Sequence, residues 1–323
     1  MDMLIIDQRG AQLTVEAKAI VIRVSGRNPA SVPLNQVSRL VIAASVQLNS
    51  TLLTHLAEQG VTVVVMPGRG VRRNAVLYGM GHGDAARRLQ QYALQQETER
   101  VLFWAKRFVS MRIYGALRLL RHAKQQRPDC RYPLNTAIRS LSQALLRVQL
   151  AEELAELRGI EGAASARFFT AYQTLFPESL GFLSRNRRPP RDPVNAALSL
   201  GYTLLHGDAV KAVTQSGLDP MLGFLHDISY GRESLACDLV ELARPRIERF
   251  VWGLFSQQLL RDSHFSVDGE ACRMMKAARR IYFSNYEAQA HVHRRWFSRY
   301  AQMIARQLSA SETAFSTIAE KGP

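Results

Sequence analysis

LDPMLGFLHDISYGRESLACDLVELARPR, residues 218–246, places a histidine and a helix that carries two acids in one short segment of this 323-residue chain. His226 follows a short apolar run, and the dipeptide of Gly231 and Arg232 then predicts a turn. A helix is expected to begin at Ser234, whose hydroxyl is suited to accept an unpaired backbone N–H of the first helical turn as its N-cap. The loop that carries the histidine is therefore followed closely by a helix.

The two acids of that helix, Asp238 and Glu241, are three residues apart and therefore share one helical face, about one turn apart. A histidine and one or two carboxylates that converge from a loop and a helix suit a hard divalent cation with an open coordination position. Two alternatives stay open at this point. A lone histidine near an apolar run is more often an ordinary core or surface residue than a ligand, and two acids at this spacing usually form a solvated face.

The composition is strongly basic. Lysine and arginine number 42 against 27 aspartates and glutamates, which gives a formal net charge of +15. Such an excess favours a polyanionic partner, with nucleic acid ahead of an anionic membrane surface. Most of the excess is arginine, whose planar guanidinium binds two phosphate oxygens at once.

The cysteines and the N-terminus bear on the cellular compartment. Cys130, Cys237 and Cys272 are far apart and lack a C-x-x-C spacing, so neither a disulfide framework nor a cysteine zinc site is expected. The first residues, MDMLIIDQRG, lack the regions of a secretion signal, and no apolar run approaches the roughly 18 residues of a membrane span. We therefore expect a soluble, cytoplasmic protein without a membrane partner.

Residues 1–82 are predicted to form a small β-rich domain, because short β-branched runs alternate there with Gly, Asn, Pro and Ser. The expected strands cover residues 4–6, 13–15, 20–24, 39–42 and 61–65. A helix is expected from Ser50, capped by Asn49 or Ser50 and ended at Gly60. The segment GRGVRR, residues 68–73, is either a loop that contacts phosphate or a solvated basic turn.

Residues 83–323 are predicted to form a larger, all-α domain, so the fold class is α+β. Apolar residues recur at three- and four-residue steps across residues 84–126, which predicts one long amphipathic helix ending before Pro128. Further helices are expected at residues 135–158 and 160–175. The remainder is read as helical apart from the loop at 185–193 and turns at glycines.

Glu161 stands between Gly159 and Gly162 on the helix expected at 160–175. Glycine costs roughly 1 kcal/mol relative to alanine inside a helix, so two glycines around one acid require a physical reason. One reason is close approach of another backbone or of a ligand to Glu161. The other is tight helix–helix packing with an exposed Glu161, and the sequence does not separate the two.

A basic loop follows, with four arginines and three prolines within ten residues; the arginines are Arg185, Arg187, Arg188 and Arg191. The prolines keep the loop out of a helix and stiffen it, so that these side chains stand on a semi-rigid support. A pre-ordered basic loop binds phosphates at lower entropic cost than a flexible one. Phosphate contact is the favoured reading, a solvated loop the alternative. Asp192 or Asn195 is expected to cap the next helix.

Taken together, these segments resemble the metal-dependent CRISPR spacer-acquisition integrases. That family's pattern has four parts in order: a glycine-flanked glutamate, a D-P-x-N segment, a G-x-D-P-x-x-G-x-x-H stretch and a G-R-x-S-L-x-x-D-L-x-E stretch closing on R-P. All four stand here between residues 158 and 245, and the histidine and the last glutamate are 15 residues apart. Departures are small: Cys237 replaces a small or aliphatic residue, and Leu-Ala replaces the commoner Pro-Phe before Arg-Pro.

The resemblance implies the chemistry of the site. Glu161, His226 and Glu241 would bind Mg²⁺ or Mn²⁺, with Asp238 in a supporting role. A free DNA 3′-hydroxyl would attack a phosphodiester, so no covalent protein nucleophile is required. Arg232 in the Gly-Arg turn would clamp a phosphate oxygen, and Asn195 with the loop arginines would contribute DNA contacts.

The resemblance also implies an assembly. The β-sandwich-like domain at residues 1–82 would serve dimerisation and the helical domain at 83–323 catalysis. The expected partners are the spacer duplex, the CRISPR repeat and a small ferredoxin-like protein that completes a heterohexamer with the homodimers.

Two other function classes stay open from the sequence. One is a nuclease that uses the same metal with water as the nucleophile, including on branched DNA. The other is a non-catalytic DNA-binding or assembly protein in which the three ligand residues are structural.

Overall fold

The computed structural model describes residues 3–66, 75–77, 85–186 and 189–319, with side chains of the last helix described to residue 308. The chain divides into two compact units, Met1–Gly83 and Asp84–Pro323. The first is rich in strands and the second is mainly helical, so the predicted α+β class is confirmed. The basic segment at residues 68–73, as well as Arg187 and Arg188, lies outside the described residues.

In its described residues, the N-terminal unit contains two four-stranded sheets and one helix. The strands are β1 (Met3–Ile6), β2 (Gln12–Glu16), β3 (Ala19–Arg23), β4 (Ala30–Pro33), β5 (Arg39–Ile42), β6 (Gln47–Leu48), β7 (Thr62–Val65) and β8 (Ala75–Leu77). One sheet has the order β1-β5-β7-β8 and the other β4-β3-β2-β6. In the first sheet β5 pairs in parallel with β1 and β7, whereas β8 is antiparallel to β7. All five predicted strands are present, and β4, β6 and β8 are additional.

The helix of this unit, α1 (Ser50–Glu58), forms where the sequence predicts it. The side chain of Asn49 accepts the backbone N–H of Leu52 at 2.9 Å, which satisfies one of the unpaired donors of the first turn. Leu52 and Leu56, one turn apart, are fully buried in an apolar cluster shared with both sheets. The cap and the apolar spacing therefore fix α1 over this core.

The second unit contains seven helices in its described residues: α2 (Ala85–Leu94), α3 (Thr98–Gln126), α4 (Arg131–Leu150), α5 (Leu154–Tyr172), α6 (Pro193–Gln215), α7 (Ser234–Ser256) and α8 (Lys276–Ala319). It also contains an antiparallel hairpin of β9 (Phe265–Asp268) and β10 (Ala271–Met274), which the prediction of an all-α domain did not include. None of the helices in the described part of the chain has the length and apolarity needed to cross a bilayer.

Two helix boundaries differ from the prediction. The single helix expected at 84–126 is two helices, α2 and α3, separated at residues 95–97. The next junction lies at residues 151–153 rather than near 159, because Gly159 is accommodated inside α5. Glu161 therefore lies about two turns into a helix that already began at Leu154. Each junction is only three residues long, so the helical pattern on either side of it did not reveal the break.

Helix α7 packs against α3, α6 and α8, and most of its residues are buried. Pro245 lies inside α7, and its ring faces Gly115 of α3. A Cβ at Gly115 would lie only 2.7 Å from Cγ of this proline, so the contact requires glycine. Close packing thus fixes α7, which carries two of the predicted site residues.

Candidate active site

Asp238 of α7 holds the loop that carries His226. Its carboxylate is fully buried and accepts the backbone N–H groups of Phe224 at 2.5 Å, Leu225 at 3.0 Å and His226 at 3.1 Å. Gly223 precedes these donors, and a Cβ there would lie 2.8 Å from Asp238 Oδ2. The glycine therefore gives the loop its close approach to the carboxylate.

The ring of His226 is oriented by the same carboxylate. Its Nδ1 lies 2.6 Å from Asp238 Oδ1. Since an ionised carboxylate only accepts, Nδ1 donates, and Nε2 is the ring nitrogen that this contact leaves available. Burial lowers the pKa of His226, but the hydrogen bond to Asp238 and the negative charges of Asp238 and Glu241 outweigh it, so the pKa is raised. This is the arrangement by which a carboxylate orients a histidine ligand.

Arg158 connects the His226 loop to the helix of Glu161. It lies on α5, three residues before Glu161, and its Nε donates to the carbonyl of Leu225 at 2.7 Å. Its Nη2 pairs with Asp227 at 2.5 Å, on the other side of the histidine. One side chain of α5 thus binds both neighbours of His226, a contact that the sequence interpretation missed.

Glu161 stands in a partly desolvated position beside the other acid. Burial, followed by the negative charge of Glu241, raises the pKa of Glu161 above its usual range. The positive charges of Arg112, Arg244 and His226 act in the opposite direction. The structure therefore brings Glu161 within electrostatic reach of both Glu241 and His226, although they are 80 and 65 residues apart in sequence.

The glycines around Glu161 do not mark tight packing. A Cβ added at Gly159 or Gly162 would meet no described residue within 4 Å. The helix-packing alternative is therefore wrong, and so is the approach of another described backbone. The open space beside these glycines leaves room for a ligand to approach Glu161.

Glu241 is almost completely buried and faces two arginines. Its Oε1 lies 3.1 Å from Nη1 of Arg244, and its Oε2 lies 3.7 Å from Nε of Arg112. Oε2 accepts no hydrogen bond from any described group. Asp238 and Glu241 are thus both interior groups, which excludes the solvated-face alternative for this pair.

A buried ion pair supports the site and was not predicted. Arg112 donates from both terminal nitrogens to Glu248, at 2.9 Å and 2.7 Å, and both side chains are almost inaccessible. Tyr202 donates to the same carboxylate at 2.8 Å, and Phe168 lies under the guanidinium of Arg112 with its centroid 5.1 Å from Cζ. Glu248 follows Glu241 by seven positions, so the same face of α7 carries both.

The donor set has not assembled as a metal site in the described residues, which contain no group of three or more His, Cys, Asp or Glu side chains arranged to hold an ion. Its chemistry nevertheless suits one. Two desolvated carboxylates repel each other, Glu241 has an unbonded oxygen, and His226 presents Nε2. A divalent cation would relieve the repulsion and satisfy that oxygen.

Hydrogen bonds to the buried side chain of Asn195 hold the start of the basic loop. Asn195 is fully buried and accepts from Arg185 at 2.7 Å and from the backbone of Asn186 at 3.0 Å, while donating to Ser184 and Asp192. Asn195 therefore organises the loop, and its burial corrects the expectation that it contacts DNA. Asp192 is the cap of α6, through a 2.8 Å bond from the Asn195 backbone.

Two of the predicted DNA-binding arginines differ in availability. Arg185 is engaged with Asn195, with Ser199 at 3.1 Å and with the ring of Tyr202 at 5.4 Å, so it stabilises the loop. Arg191 is exposed, with one loose pair to Glu270 at 3.3 Å. Of these two, only Arg191 extends into solvent as the prediction requires.

The Gly-Arg turn forms as predicted, with Gly231 at a φ of +68°. Arg232 donates to the carbonyl of Asp227 at 2.8 Å, and the same carbonyl accepts the hydroxyl of Ser234, also at 2.8 Å. Ser234 is the first residue of α7 and Glu233 occupies the cap position without a side-chain bond. The expectation that Ser234 is the N-cap is therefore wrong.

Comparison with known proteins identifies the family. Residues 4–288 match the family described as CRISPR associated protein Cas1. A CRISPR-associated endonuclease Cas1 of Thermodesulfovibrio yellowstonii is 34% identical, over 95% of this chain and 97% of the relative. Another, of Chlorobaculum tepidum, is 30% identical over 89% of this chain and 85% of the relative.

Solved structures share the fold. A Cas1 protein from Thermotoga maritima has a TM-score of 0.80 at 21% identity, covering 95% of this chain and 97% of that one. A casposase bound to integration product also has a TM-score of 0.80, at 19% identity and with coverages of 95% and 91%. With the family match and both relatives, these findings show that the chain belongs to the Cas1 family, the spacer-acquisition integrases of CRISPR adaptation.

Proposed function

We propose that this Cas1 protein joins the 3′ ends of a short duplex DNA to a CRISPR repeat by metal-dependent transesterification at Glu161, His226 and Glu241. The observation that carries the proposal is the pairing of two desolvated, mutually repelling carboxylates with a histidine whose Nε2 is directed by buried Asp238. Such a set has no evident purpose without a cation. Mg²⁺ and Mn²⁺ both suit two carboxylates and an imidazole.

The proposed reaction exchanges one phosphodiester for another. The oxygen of a spacer 3′-hydroxyl forms a bond to a phosphorus of the repeat, and the bond from that phosphorus to the repeat 3′-oxygen breaks. The proton of the attacking hydroxyl leaves, and the departing oxygen gains one. The bound cation would polarise the scissile phosphate and neutralise developing charge.

The residues of the chain have distinct parts in this step. Glu161, Glu241 and Nε2 of His226 would hold the cation, while Asp238 keeps the ring in position through its 2.6 Å contact. Arg244, which pairs with Glu241 at 3.1 Å, supplies fixed positive charge beside the carboxylates. Arg232 would turn from the Asp227 carbonyl to a phosphate oxygen.

The expected partners are duplex DNA, a second copy of the chain, and a small ferredoxin-like protein that completes a heterohexamer. Support comes from solved assemblies of the same fold: a Cas6-RT-Cas1–Cas2 complex has a TM-score of 0.77 at 20% identity. This chain covers 35% of that larger one and is itself covered over 96% of its length. A complex with a small partner therefore fits this fold.

The decisive experiment uses His226→Ala and Glu241→Ala in strand joining with a labelled 3′-hydroxyl oligonucleotide. Both variants are expected to lose joining while DNA binding and folding stay nearly intact, because affinity comes from many arginine–phosphate contacts and chemistry from three ligands. Arg139→Ala, an exposed position on α4, is the matched control. Wild-type joining by the alanine variants in Mg²⁺ would refute the metal site and favour a DNA-binding assembly protein.

A finer variant separates ligation from charge. Glu241→Asp keeps the carboxylate but withdraws it by one methylene, so activity should fall in Mg²⁺ and recover in part with Mn²⁺. Absence of any metal dependence in this variant would count against direct ligation.

Nuclease action is the second candidate, because the curated relatives are named endonucleases. In that case water replaces the 3′-hydroxyl at the same site. Incubation of the labelled oligonucleotide with repeat DNA distinguishes the two, since joining lengthens the labelled strand and hydrolysis only shortens DNA.

A further inference from the structure

A groove of about 950 Å³ lies between α3, α7 and α8, apart from the proposed metal site. None of Glu161, His226, Asp238 or Glu241 lines it. The two sites use different faces of α7. At about 100° per residue, Arg246 and Arg249 are turned from Glu241 by roughly 140° and 80° around the helix axis.

The walls of the groove are cationic without a compensating acid. Arg118 and His122 of α3 face Arg246 and Arg249 of α7, and no aspartate or glutamate is among the described residues that line it. Arg127 also reaches the groove, but Asp129 holds it at 2.6 Å. In contrast, the buried arginines of the proposed metal site all have carboxylate partners.

The arginines of this cluster repel one another, and they disfavour a positive charge on His122. Burial, followed by the charges of Arg249 and Arg118, lowers the pKa of Arg246. Burial and the charge of Arg249 likewise lower the pKa of His122, whose Nε2 is 3.4 Å from the guanidinium of Arg249. The cluster therefore carries unrelieved positive charge, which an anion in the groove would stabilise.

Two of the side chains that line the groove have a buried hydrogen-bond donor without a partner among the described groups. Trp252 is only 5% exposed, yet its indole Nε1 has no partner among the described groups. Nε of Arg246 is likewise buried without a partner, while the guanidinium lies 5.3 Å from the ring centroid of Trp296. Buried donors without acceptors are uncommon. Both nitrogens lie beneath the groove surface, so a small side-chain shift on binding would be needed to bring them to an acceptor oxygen.

We propose that this groove binds backbone phosphates of a DNA strand, as a second anchoring surface behind α7. Phosphate oxygens are acceptors only, so they suit three guanidiniums, an imidazole and an indole N–H together. DNA is favoured over a free phosphate compound because the groove extends along three helices and belongs to a protein of the DNA-integrating Cas1 family. The proposal does not depend on the metal site.

The test measures binding in EDTA, where the chemistry is silent. The full chain with Arg246→Gln and Arg249→Gln is titrated with fluorescent single-stranded and duplex DNA at several salt concentrations. Glutamine keeps much of the size and polarity, and melting temperature verifies folding. The control removes the same charge from exposed positions of α4, with Arg139→Gln and Arg147→Gln.

We expect the groove variant to bind about tenfold or more weakly than the control, and the log–log salt slope to fall by roughly 1.4 to 1.8 for two lost phosphate contacts. In the unmodified chain, DNA should quench the tryptophan emission that comes from Trp252 and Trp296. Equal affinity and slope for the two variants would overturn the proposal. Quenching by dAMP or inorganic phosphate, but not by DNA, would overturn it in favour of a free phosphate ligand.

Discussion

Replacing Arg112 by methionine should destabilise the helical unit by about 3–5 kcal/mol, the cost of breaking one side of a buried ion pair. The magnitude follows from the surroundings of Glu248. This carboxylate is fully inaccessible and receives two hydrogen bonds from Arg112, at 2.9 Å and 2.7 Å, so it would keep only the bond from Tyr202. Methionine matches the apolar stem, so lost packing adds little.

Tryptophan emission during urea denaturation measures this change selectively, because all three tryptophans belong to Asp84–Pro323. Arg100→Met is the control on the same helix: Arg100 pairs with Glu97 at 3.0 Å in partial exposure, where such pairs contribute about 1 kcal/mol or less. Adding Glu248→Leu to Arg112→Met should recover part of the lost stability, since the unpaired carboxylate is removed, although Tyr202 loses its acceptor and Glu241 its contact with Arg112. A loss below about 1 kcal/mol in the single variant would refute this account of the pair.

Three further outcomes follow from the described contacts. Asp238→Asn should slow strand joining and lower the pKa of His226 in metal-free NMR titration, because a neutral amide no longer favours the protonated ring; an unchanged pKa would contradict the positioning role. Gly159→Ala should stabilise α5 by about 1 kcal/mol in urea denaturation, since its Cβ meets open space, and destabilisation would contradict that space. Burial, with the charge of Asp192, raises the pKa of Cys272 to about 11, so this thiol should resist alkylation at pH 8 until unfolding. The stability that comes from keeping this thiol protonated is fully present below about pH 8.5, the pKa of the unfolded thiol, and should be lost as the pH rises from there towards 11. Alkylation of the native protein at the rate of the unfolded protein would contradict the burial of Cys272.

The parts of the fold that depend on local chemistry could be predicted from the sequence. Asn49 and Asp192 cap their helices by accepting the backbone N–H three residues later. Such a cap depends only on residues that are adjacent in sequence, so it can be predicted without knowledge of the fold. Alternating β-branched runs likewise identified five strands. β4 and β6 were missed because Ala30–Pro33 is largely exposed and ends in a proline and Gln47–Leu48 is only two residues long, so neither has a recognisable strand pattern.

The site residues could be predicted only where they lie close together in the sequence as part of a motif. His226 and its acids stand within one segment, whereas Arg112 and Glu248 are 136 residues apart and each resembles an ordinary charge on an amphipathic helix. One signal was available: Arg112 falls between Phe108 and Ile113 on the apolar side of α3, where a surface arginine is not expected. Asn195 was misjudged for the related reason that a polar residue beside arginines gives no indication of its burial.

Because Pro245 packs directly on Gly115, the residue types at these two positions are expected to change together among related sequences. Pro245 has no N–H, so the carbonyl of Glu241, four residues earlier, receives no hydrogen bond from the usual helical donor. At the same time its ring fills the volume that any side chain at position 115 would need. A residue larger than glycine at position 115 should therefore occur only where position 245 is no longer proline. In such sequences the N–H of residue 245 could donate to the carbonyl of residue 241, which restores the helical hydrogen bond that Pro245 removes.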